Sequence, residues 1–341
     1  MPFLPHNHPL WKQLLKHIPH DVYHLPEYVV LESSLVGGEA LAWYHSDQDT
    51  EYLIPLIRRS IKQSSQHSDL VSPYGYPGII SNSHIEQKQA FSLLCKFHEE
   101  ATQQGFVSSF IRMNPVINPW TFPSNPTFRQ WTHGGTISLQ LELPMSQISQ
   151  TFSVNHQRNI RRLHRQGYQA AVNQWNYLDD FIEMYYRTME RKGAKPYYFF
   201  PKSYFDTLRQ ILGDRIVFIS VHDPHKICVS AGLFTLFGSV MQYHLGATAD
   251  HAISYSPSKL MMDEAIRFGK LSGASMLHLG GGLGGSTSDG LFRFKKGFGN
   301  MFHPYSSLRF IHQPKTYNEL HKKQVTTNIP KDFFPIYRYQ T

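Results

Sequence analysis

The sequence predicts a mixed α/β fold built from two similarly organised halves. Short runs of β-branched and aromatic residues, typical of strands, alternate with segments whose apolar residues recur every three or four positions, as in amphipathic helices. Each half reads as a meander of strands followed by a helix, a strand and a loop, and the halves join at 144–153. The length of 341 residues is enough for two domains, and 41% apolar residues are enough for two buried cores.

The first half is expected to form a small antiparallel sheet with one long helix. Phe91, Leu94 and Ala101 recur with helical spacing, and Gly105 suits the position just beyond a helix end. The expected elements are strands at 28–32, 40–44 and 52–57, a helix at 85–105, and strands at 106–113 and 136–143.

The second half contains more helix. Ser256 is the expected N-cap of a helix that has Pro257 as its first residue and ends at Gly273. The other expected elements are helices at 154–167, 178–192 and 203–212 and strands at 168–172, 215–221, 229–237, 240–246 and 275–279.

Composition and charge narrow the class of protein. Lys and Arg number 33 against 25 Asp and Glu, a formal charge of +8 that favours an anionic partner: a nucleotide, a phosphate-bearing precursor, RNA or a membrane surface. Two cysteines cannot build a disulfide framework, and we expect no metal site. No apolar run reaches the roughly 18 residues of a membrane-spanning helix, and no secretory signal is visible, so the expected compartment is cytoplasmic.

A glycine run follows the last predicted strand of the second half. Gly280, Gly282 and Gly285 satisfy G-x-G-x-x-G, but no helix follows directly and no acidic residue lies about 20 positions on, as the dinucleotide-binding pattern requires. The favoured interpretation is a sterically demanding turn in which glycine supplies positive φ. Backbone N–H groups near Gly281 and Gly282 could nevertheless contact a ligand.

Three cations lie among three phenylalanines directly after this run. The simplest interpretation is an amphipathic helix that buries Leu291, Phe294 and Phe298 and leaves its cations in water. Lys295, beside Phe294, is the favoured ligand for a negative group because it would lie at the carboxyl end of a strand, where α/β proteins bind ligands. Lys296 is expected to be a surface charge.

The strongest charge cluster is the predicted helix at 154–167. Arg158, Arg161, Arg162 and Arg165 share one helix face, so they could present guanidinium groups to phosphates; a solvated face is the competing interpretation. Val154, Ile160 and Leu163 are expected to point inward.

Three tyrosines are further candidates for substrate binding. Tyr74 and Tyr76, in Pro-Tyr-Gly-Tyr-Pro-Gly, could line a cleft with their hydroxyl groups or simply pack within the loop. Tyr243 neighbours His244 on a strand, so the two side chains should face opposite sides of the sheet.

The order and spacing of several segments resemble one known family. The chain resembles the FemAB/FemX-like branch of the GNAT (acyl-CoA N-acyltransferase) superfamily over about 150–312, and more weakly at 72–78. The segments that carry the resemblance are 156–167, 181–193, Ala231-Gly-Leu-Phe, Tyr243-His-Leu-Gly, 256–267, His278-Leu-Gly-Gly-Gly and Phe294-Lys-Lys-Gly-Phe.

The resemblance implies a fold and a reaction. It implies two GNAT-like domains with a cleft between them: a divergent one at 1–150 and an acyltransferase domain at 151–312, with an extension at 313–341. Family members transfer an acyl or aminoacyl group to an amine of a cell-envelope precursor, such as a peptidoglycan peptide or an amino sugar of a surface polysaccharide. Lys295 matches the family's lysine that assists transfer, and Arg161 and Arg162 match its phosphate contacts.

The donor and the proton acceptor stay open at this point. The GNAT pattern for coenzyme A is absent between Gly246 and Leu260, which weakens the case for an acyl-CoA donor without excluding it. Acyl-CoA and aminoacyl-tRNA both stay open as the donor, which is expected to act as a co-substrate with no tightly bound cofactor. Asp289 could accept the amine's proton or could cap the following helix. The rival function is a non-catalytic module that binds RNA or another polyanion through the Arg158–Arg165 helix.

Overall fold

The chain forms two compact units. The computed structural model describes residues 2–282, 289–323, 329–330 and 332–339. The first unit comprises 1–133 and 304–341, and the second comprises 134–303. These units reflect proximity in space, whereas the predicted domains at 1–150, 151–312 and 313–341 follow the linear order of elements and stay a prediction.

Strands and helices alternate along the chain much as the sequence predicts. The strands are β1 (Phe3–Pro5), β2 (Gly38–Asp47), β3 (Thr50–Ile61), β4 (Ser64–Val71), β5 (Ile80–Ser81), β6 (Phe106–Arg112), β7 (Phe128–Gln140), β8 (Gln169–Val172), β9 (Ile216–His222), β10 (Cys228–Phe237), β11 (Val240–Thr248), β12 (Met276–Gly281) and β13 (Met301–Ile311). The α-helices are α1 (Pro9–Leu14), α2 (Pro26–Val36), α3 (Gln87–Gln103), α4 (Met145–Thr151), α5 (Val154–Arg165), α6 (Leu178–Arg191), α7 (Lys202–Leu212), α8 (Ser258–Leu271), α9 (Gly290–Lys296) and α10 (Pro314–Lys322).

Each unit contains a mixed sheet with the same pattern of strand pairing. In the first unit β1, β2, β3 and β4 are antiparallel neighbours, β4 pairs with β6 in parallel, and β6 pairs with β13 antiparallel. In the second unit β8, β9, β10 and β11 are antiparallel neighbours, β11 pairs with β12 in parallel, and β12 pairs with β7 antiparallel. The predicted α/β class with mixed sheets is confirmed.

Equivalent helices connect equivalent strands in the two units. Helix α3 links the parallel pair β4 and β6, and α8 links the parallel pair β11 and β12, as a parallel connection requires. In each unit, one edge of the described strand order comes from the other half of the sequence. The first unit contains β13, which ends the second half, and the second unit contains β7, which belongs to the first half. This exchange explains why the compact units do not coincide with a cut at residue 150.

The core of the second unit holds the elements that carry the candidate site. Buried apolar side chains from β10, β11, β12 and α8 form one cluster, which also includes Phe292 and Phe298. Burial of such side chains contributes about 1.5–3 kcal/mol each relative to exposure. The start of α9 and the turn after it are therefore anchored to the sheet.

Two local predictions were wrong. The run at 28–32 forms part of α2, not a strand, because Pro26 begins the helix, Gly37 ends it with φ of +62°, and both faces are largely buried. Ser256 is not an N-cap: its φ of +60° is left-handed, and α8 begins two residues later at Ser258. An apolar run buried on all sides has no periodicity that separates helix from strand.

No helix within the described part of the chain combines the length and apolar character needed to cross a bilayer.

Candidate active site

The candidate site lies where the two parallel strands of the second unit part. Strands β11 and β12 pair from Val240 opposite Met276 to Gln242 opposite His278, and no pair follows. Just beyond this point the register of β11 with β10 slips by one residue at His244, a β-bulge. The bulge overrides simple alternation, and Tyr243 and His244 are both partly buried. The strands thus diverge at their carboxyl ends, where open α/β sheets bind ligands.

The glycines after β12 allow a close approach that side chains would block. Gly280 has φ of +71°, and the register of β12 with β7 slips beside it. A Cβ at Gly281 would lie 3.0 Å from the carbonyl oxygen of Gly135, and one at Gly282 would collide with the Asp289 carboxylate. The expected glycine-dependent turn is therefore present at 280–282. The rest of the run, including Gly285, lies outside the described residues.

Helix α9 is rotated relative to the orientation predicted from the sequence. Phe292 and Lys295 are 4% and 7% exposed, whereas Leu291 and Phe294 are only partly buried. Phe298 is buried and Lys296 is exposed, as expected. The expectation that Leu291 and Phe294 form the buried face was wrong, because the helix begins at Gly290 after the Asp289 cap with Phe292 and Lys295 on its inner side. The rotation directs Lys295 into the protein.

Lys295 is a buried amine held against the glycine turn. Its Nζ donates a hydrogen bond of 2.6 Å to the carbonyl oxygen of Gly281 and lies 5.5 Å from the ring centre of Tyr243. Burial lowers the pKa of Lys295 to about 7, although the Asp289 carboxylate opposes this shift. At neutral pH the amine therefore populates both its charged and its neutral form.

His278 and Gln242 lie on the adjoining positions of the parallel strands. The two side chains are buried, and His278 Nδ1 donates a hydrogen bond of 3.3 Å to Gln242 Oε1. Burial lowers the pKa of His278 to about 3, and the positive charges of Lys295 and His303 lower it further. His278 is thus neutral near Lys295. Sequence reasoning missed this pair as site residues, although both side chains belong to strands that the sequence predicts.

Asp289 caps helix α9. Its Oδ2 accepts a hydrogen bond of 2.8 Å from the backbone N–H of Phe292, the ordinary role of an N-cap carboxylate. The carboxylate also packs against Gly282 and interacts electrostatically with Lys295. The structure thus brings together Lys295, Asp289, Gly281, Gly282 and Tyr243, five of the residues singled out from the sequence.

The arginine helix α5 is attached to the far end of α9. The Ser153 side chain caps α5, and its backbone N–H donates a 2.8 Å hydrogen bond to the carbonyl oxygen of Gly297. His156, buried on α5, donates through Nε2 to the carbonyl oxygen of Phe294 at 2.9 Å. Val154 is 81% exposed, so the expectation that it points inward was wrong.

The arginines of α5 differ in their surroundings. Arg158, Arg161 and Arg165 are exposed, whereas Arg162 is half-buried and donates to the carbonyl oxygen of Tyr255 at 3.0 Å. Tyr74 and Tyr76 belong to the first unit, where both are half-buried and the ring of Tyr76 packs edge-on against Tyr305.

Comparison with known proteins agrees with this geometry. Residues 202–306, which include β9 to β12, α8, α9 and Lys295, match the model of the FemAB family. This part of the chain is similar to the FemAB family. A search among curated proteins gives no significant match.

Solved structures with the same fold cover almost the whole chain. A crystal structure of FemX is 14% identical, with a TM-score of 0.68 over 94% of this chain and 99% of that one. The structure of L-PGS from Bacillus licheniformis is 13% identical, with a TM-score of 0.54 over 91% and 93%. The C-terminal domain of a putative lysylphosphatidylglycerol synthetase from Agrobacterium fabrum is 10% identical, with a TM-score of 0.53 over 90% and 92%.

The resemblance to the FemAB/FemX-like branch predicted from the sequence is confirmed by the family match and the FemX fold. The family match and the fold together support a transferase of acyl or aminoacyl type.

Proposed function

We propose that this protein transfers an activated acyl or aminoacyl group to an amine of a cell-envelope precursor and forms an amide. The acceptor would be a peptidoglycan peptide or an amino sugar of a surface polysaccharide, and the donor acyl-CoA or aminoacyl-tRNA. The observation that carries the proposal is Lys295: a buried amine with a pKa near neutrality, hydrogen-bonded to Gly281 where two parallel strands diverge within the FemAB match.

The chemistry of amide formation fits this arrangement. The nitrogen of the acceptor amine attacks the carbonyl carbon of the donor, and the carbonyl oxygen becomes an oxyanion. The Lys295 ammonium, and backbone N–H groups near Gly281, could donate hydrogen bonds to that oxyanion in a site of low dielectric. The tetrahedral intermediate then collapses with loss of the thiolate of a thioester, or of the ribose hydroxyl of an aminoacyl ester.

The proton of the attacking amine must leave during the reaction. The Asp289 carboxylate interacts electrostatically with Lys295, and it could accept that proton directly or through water. The acceptor loses one proton, the leaving group gains one, and no external oxidant or reductant is required.

Turnover with a panel of donors and acceptors tests the proposal. The donors are acyl-CoAs and aminoacyl-tRNAs, and the acceptors are muropeptides and nucleotide-linked amino sugars. The wild type should form an amide with one donor–acceptor pair, and Lys295→Met should lower kcat by about 100-fold or more, as loss of an oxyanion donor does.

Lys296→Met is the matched control because Lys296 is the exposed neighbour on the same helix. It should retain the wild-type rate within about twofold. An equal loss in both variants, or no amide from any pair, would refute the proposal.

The second candidate function is polyanion binding without catalysis. The exposed guanidinium groups of Arg158, Arg161 and Arg165 favour it. Binding of RNA dominated by phosphate contacts would weaken steeply with salt and would not change in Lys295→Met.

A further inference from the structure

A groove in the second unit lies outside the site described above. It has a volume of about 470 Å³ and is bordered by α8, by the end of α5 and by the start of β8. Leu260, Asp263, Glu264 and Arg267 line it from α8, and their spacing of three and four residues places them on one face of that helix. Sites for small molecules commonly have a volume of this size.

Asp263 is a buried carboxylate in the wall of this groove. The residue is 3% exposed, and its Oδ2 accepts a hydrogen bond of 3.0 Å from Nε of Arg267, one turn along the helix. No residue that the structure describes donates a hydrogen bond to the other oxygen, Oδ1. A desolvated carboxylate oxygen without a donor is costly, so a donor on a ligand would stabilise it.

Glu264 adds a second carboxylate to the same wall. It is half-buried, and within the described part of the chain it forms neither an ion pair nor a hydrogen bond. Burial raises the pKa of Glu264, the charge on Arg267 lowers it, the Asp263 carboxylate raises it, and His164 on α5 lowers it. The two carboxylates and the guanidinium group therefore lie within electrostatic reach of one another.

Arg267 supplies the positive charge of the groove. Its side chain is 51% exposed, and its Nε is occupied by the hydrogen bond to Asp263. Neither of its two Nη groups has an acceptor among the described residues. The planar fork of these two groups matches the two oxygens of a carboxylate. The groove thus offers acceptors for an ammonium group beside donors for a carboxylate.

Apolar surface completes the lining of the groove. Leu260 is 1% exposed, Tyr168 is 9% exposed, and Ala170 on β8 is half-buried. Ligand sites typically combine such apolar surface with a few polar groups that fix the orientation of the ligand. The hydrocarbon part of a small zwitterion would pack here.

We propose that this groove binds a free α-amino acid. Its ammonium group would donate hydrogen bonds to Asp263 and Glu264, its carboxylate would accept from Arg267, and its side chain would pack against Leu260 and Tyr168. Carboxylates and an open guanidinium fork beside one apolar surface are the observation that carries the proposal. The site goes beyond the proposed function and does not depend on it.

The required ligand differs from an aminoacyl donor. In an aminoacyl ester the carboxyl group is esterified, so it carries no negative charge for Arg267 and cannot accept a bidentate pair of hydrogen bonds as a carboxylate does. A requirement for the free carboxylate therefore distinguishes this groove from a site for the acyl group in transfer.

Thermal melts of the full-length protein with each of the protein-forming L-amino acids are the first test. A ligand that binds only the folded protein raises its melting temperature, so at least one amino acid should do so. No shift with any amino acid would overturn the proposal.

Calorimetry with the amino acid that gives the largest shift then tests the residues. Glu264→Gln and Arg267→Lys should each weaken binding by about tenfold or more, because each removes a charge-assisted contact or the planar fork. Glu183→Gln is the matched control, because Glu183 is exposed on α6, and it should bind as the wild type does.

Both groove variants should melt like the wild type without ligand, since Gln is isosteric with Glu and Lys keeps a positive charge beside Asp263. If Arg267→Lys does not fold, Glu264→Gln decides the test. Affinity equal to that of the wild type in the folded groove variants would overturn the proposal, as would an equal loss in Glu183→Gln.

Two analogues of the same amino acid test the two charged groups separately. The methyl ester lacks the carboxylate, and the N-acetyl derivative lacks the ammonium group. Each should bind about tenfold more weakly or worse than the free amino acid. Full affinity for either analogue would contradict the proposed zwitterion site. None of these measurements requires turnover, so the proposed function and this site can fail independently.

Discussion

At the scale of single residues, the environment of Lys295 determines its chemistry. The carbonyl oxygen of Gly281 accepts one of its N–H groups at 2.6 Å, which leaves the other hydrogens of the amine for a ligand. Desolvation favours the neutral amine, while Asp289 favours the charged one. The protonated amine has already lost its hydration in the folded protein. It can therefore donate a hydrogen bond to an oxyanion that forms beside it without a further large desolvation cost.

The sequence identified Lys295 as a candidate site residue but did not predict that its side chain is buried. The sequence placed a lysine beside an apparently buried Phe294, whereas the structure buries Lys295 itself together with Phe292. The apolar pattern of a seven-residue helix is too short to fix which of its faces is buried.

At the scale of elements, the start of α9 is what aligns Lys295. Asp289 holds this start through its hydrogen bond to Phe292, and the absence of a side chain at Gly282 lets the carboxylate approach. The cap and the proposed proton acceptor are therefore the same carboxylate.

A pair of substitutions separates these two roles of Asp289. Asp289→Asn keeps an oxygen that can accept the Phe292 N–H, so its free energy of unfolding should stay within about 0.5 kcal/mol of the wild type, whereas Asp289→Ala should lose about 1 kcal/mol. Chemical denaturation measures both values. If Asp289 accepts the proton of the amine, Asp289→Asn should lower kcat by about 100-fold. A normal rate in Asp289→Asn would show that Asp289 caps α9 but does not accept the proton.

Prediction of the elements was most accurate where one face is buried. The arginine helix and α6 begin and end within two residues of their predicted limits, because their apolar residues recur with helical spacing. Strand β4 was missed because Ser64, Ser68 and Asp69 give it a polar sequence, and its place between β3 and β6 is fixed by pairing. Pairing with distant strands has no local signal.

At the scale of the whole molecule, buried histidines link folding to pH. Burial lowers the pKa of His24, His133 and His244 to about 4, and that of His278 and His312 to about 3. These side chains are distributed over both units. In the unfolded chain each would titrate near 6.5.

The protein should therefore lose stability as the pH falls from about 6.5 to 4. In this range the unfolded chain binds protons that the folded histidines do not, so the free energy of unfolding rises with pH. Asp21 acts in the opposite direction, because burial raises its pKa to about 7. The combined effect of the five histidines on the free energy of unfolding should exceed that of this single carboxyl group. Urea denaturation at pH 7, 5.5 and 4 measures the effect. Equal or greater stability at pH 4 would contradict the assignment of neutral, buried histidines.

The central claim is that the Lys295 ammonium assists acyl transfer, and the pH dependence of kcat/KM tests it most directly. The ratio of the wild-type value to that of Lys295→Met, measured from pH 6 to 9 with one donor–acceptor pair, cancels the ionisation of the acceptor amine. Because the pKa of Lys295 is about 7, this ratio should be constant below pH 7 and fall about tenfold per pH unit above it. A ratio that is independent of pH, or that rises above pH 7, would contradict the account.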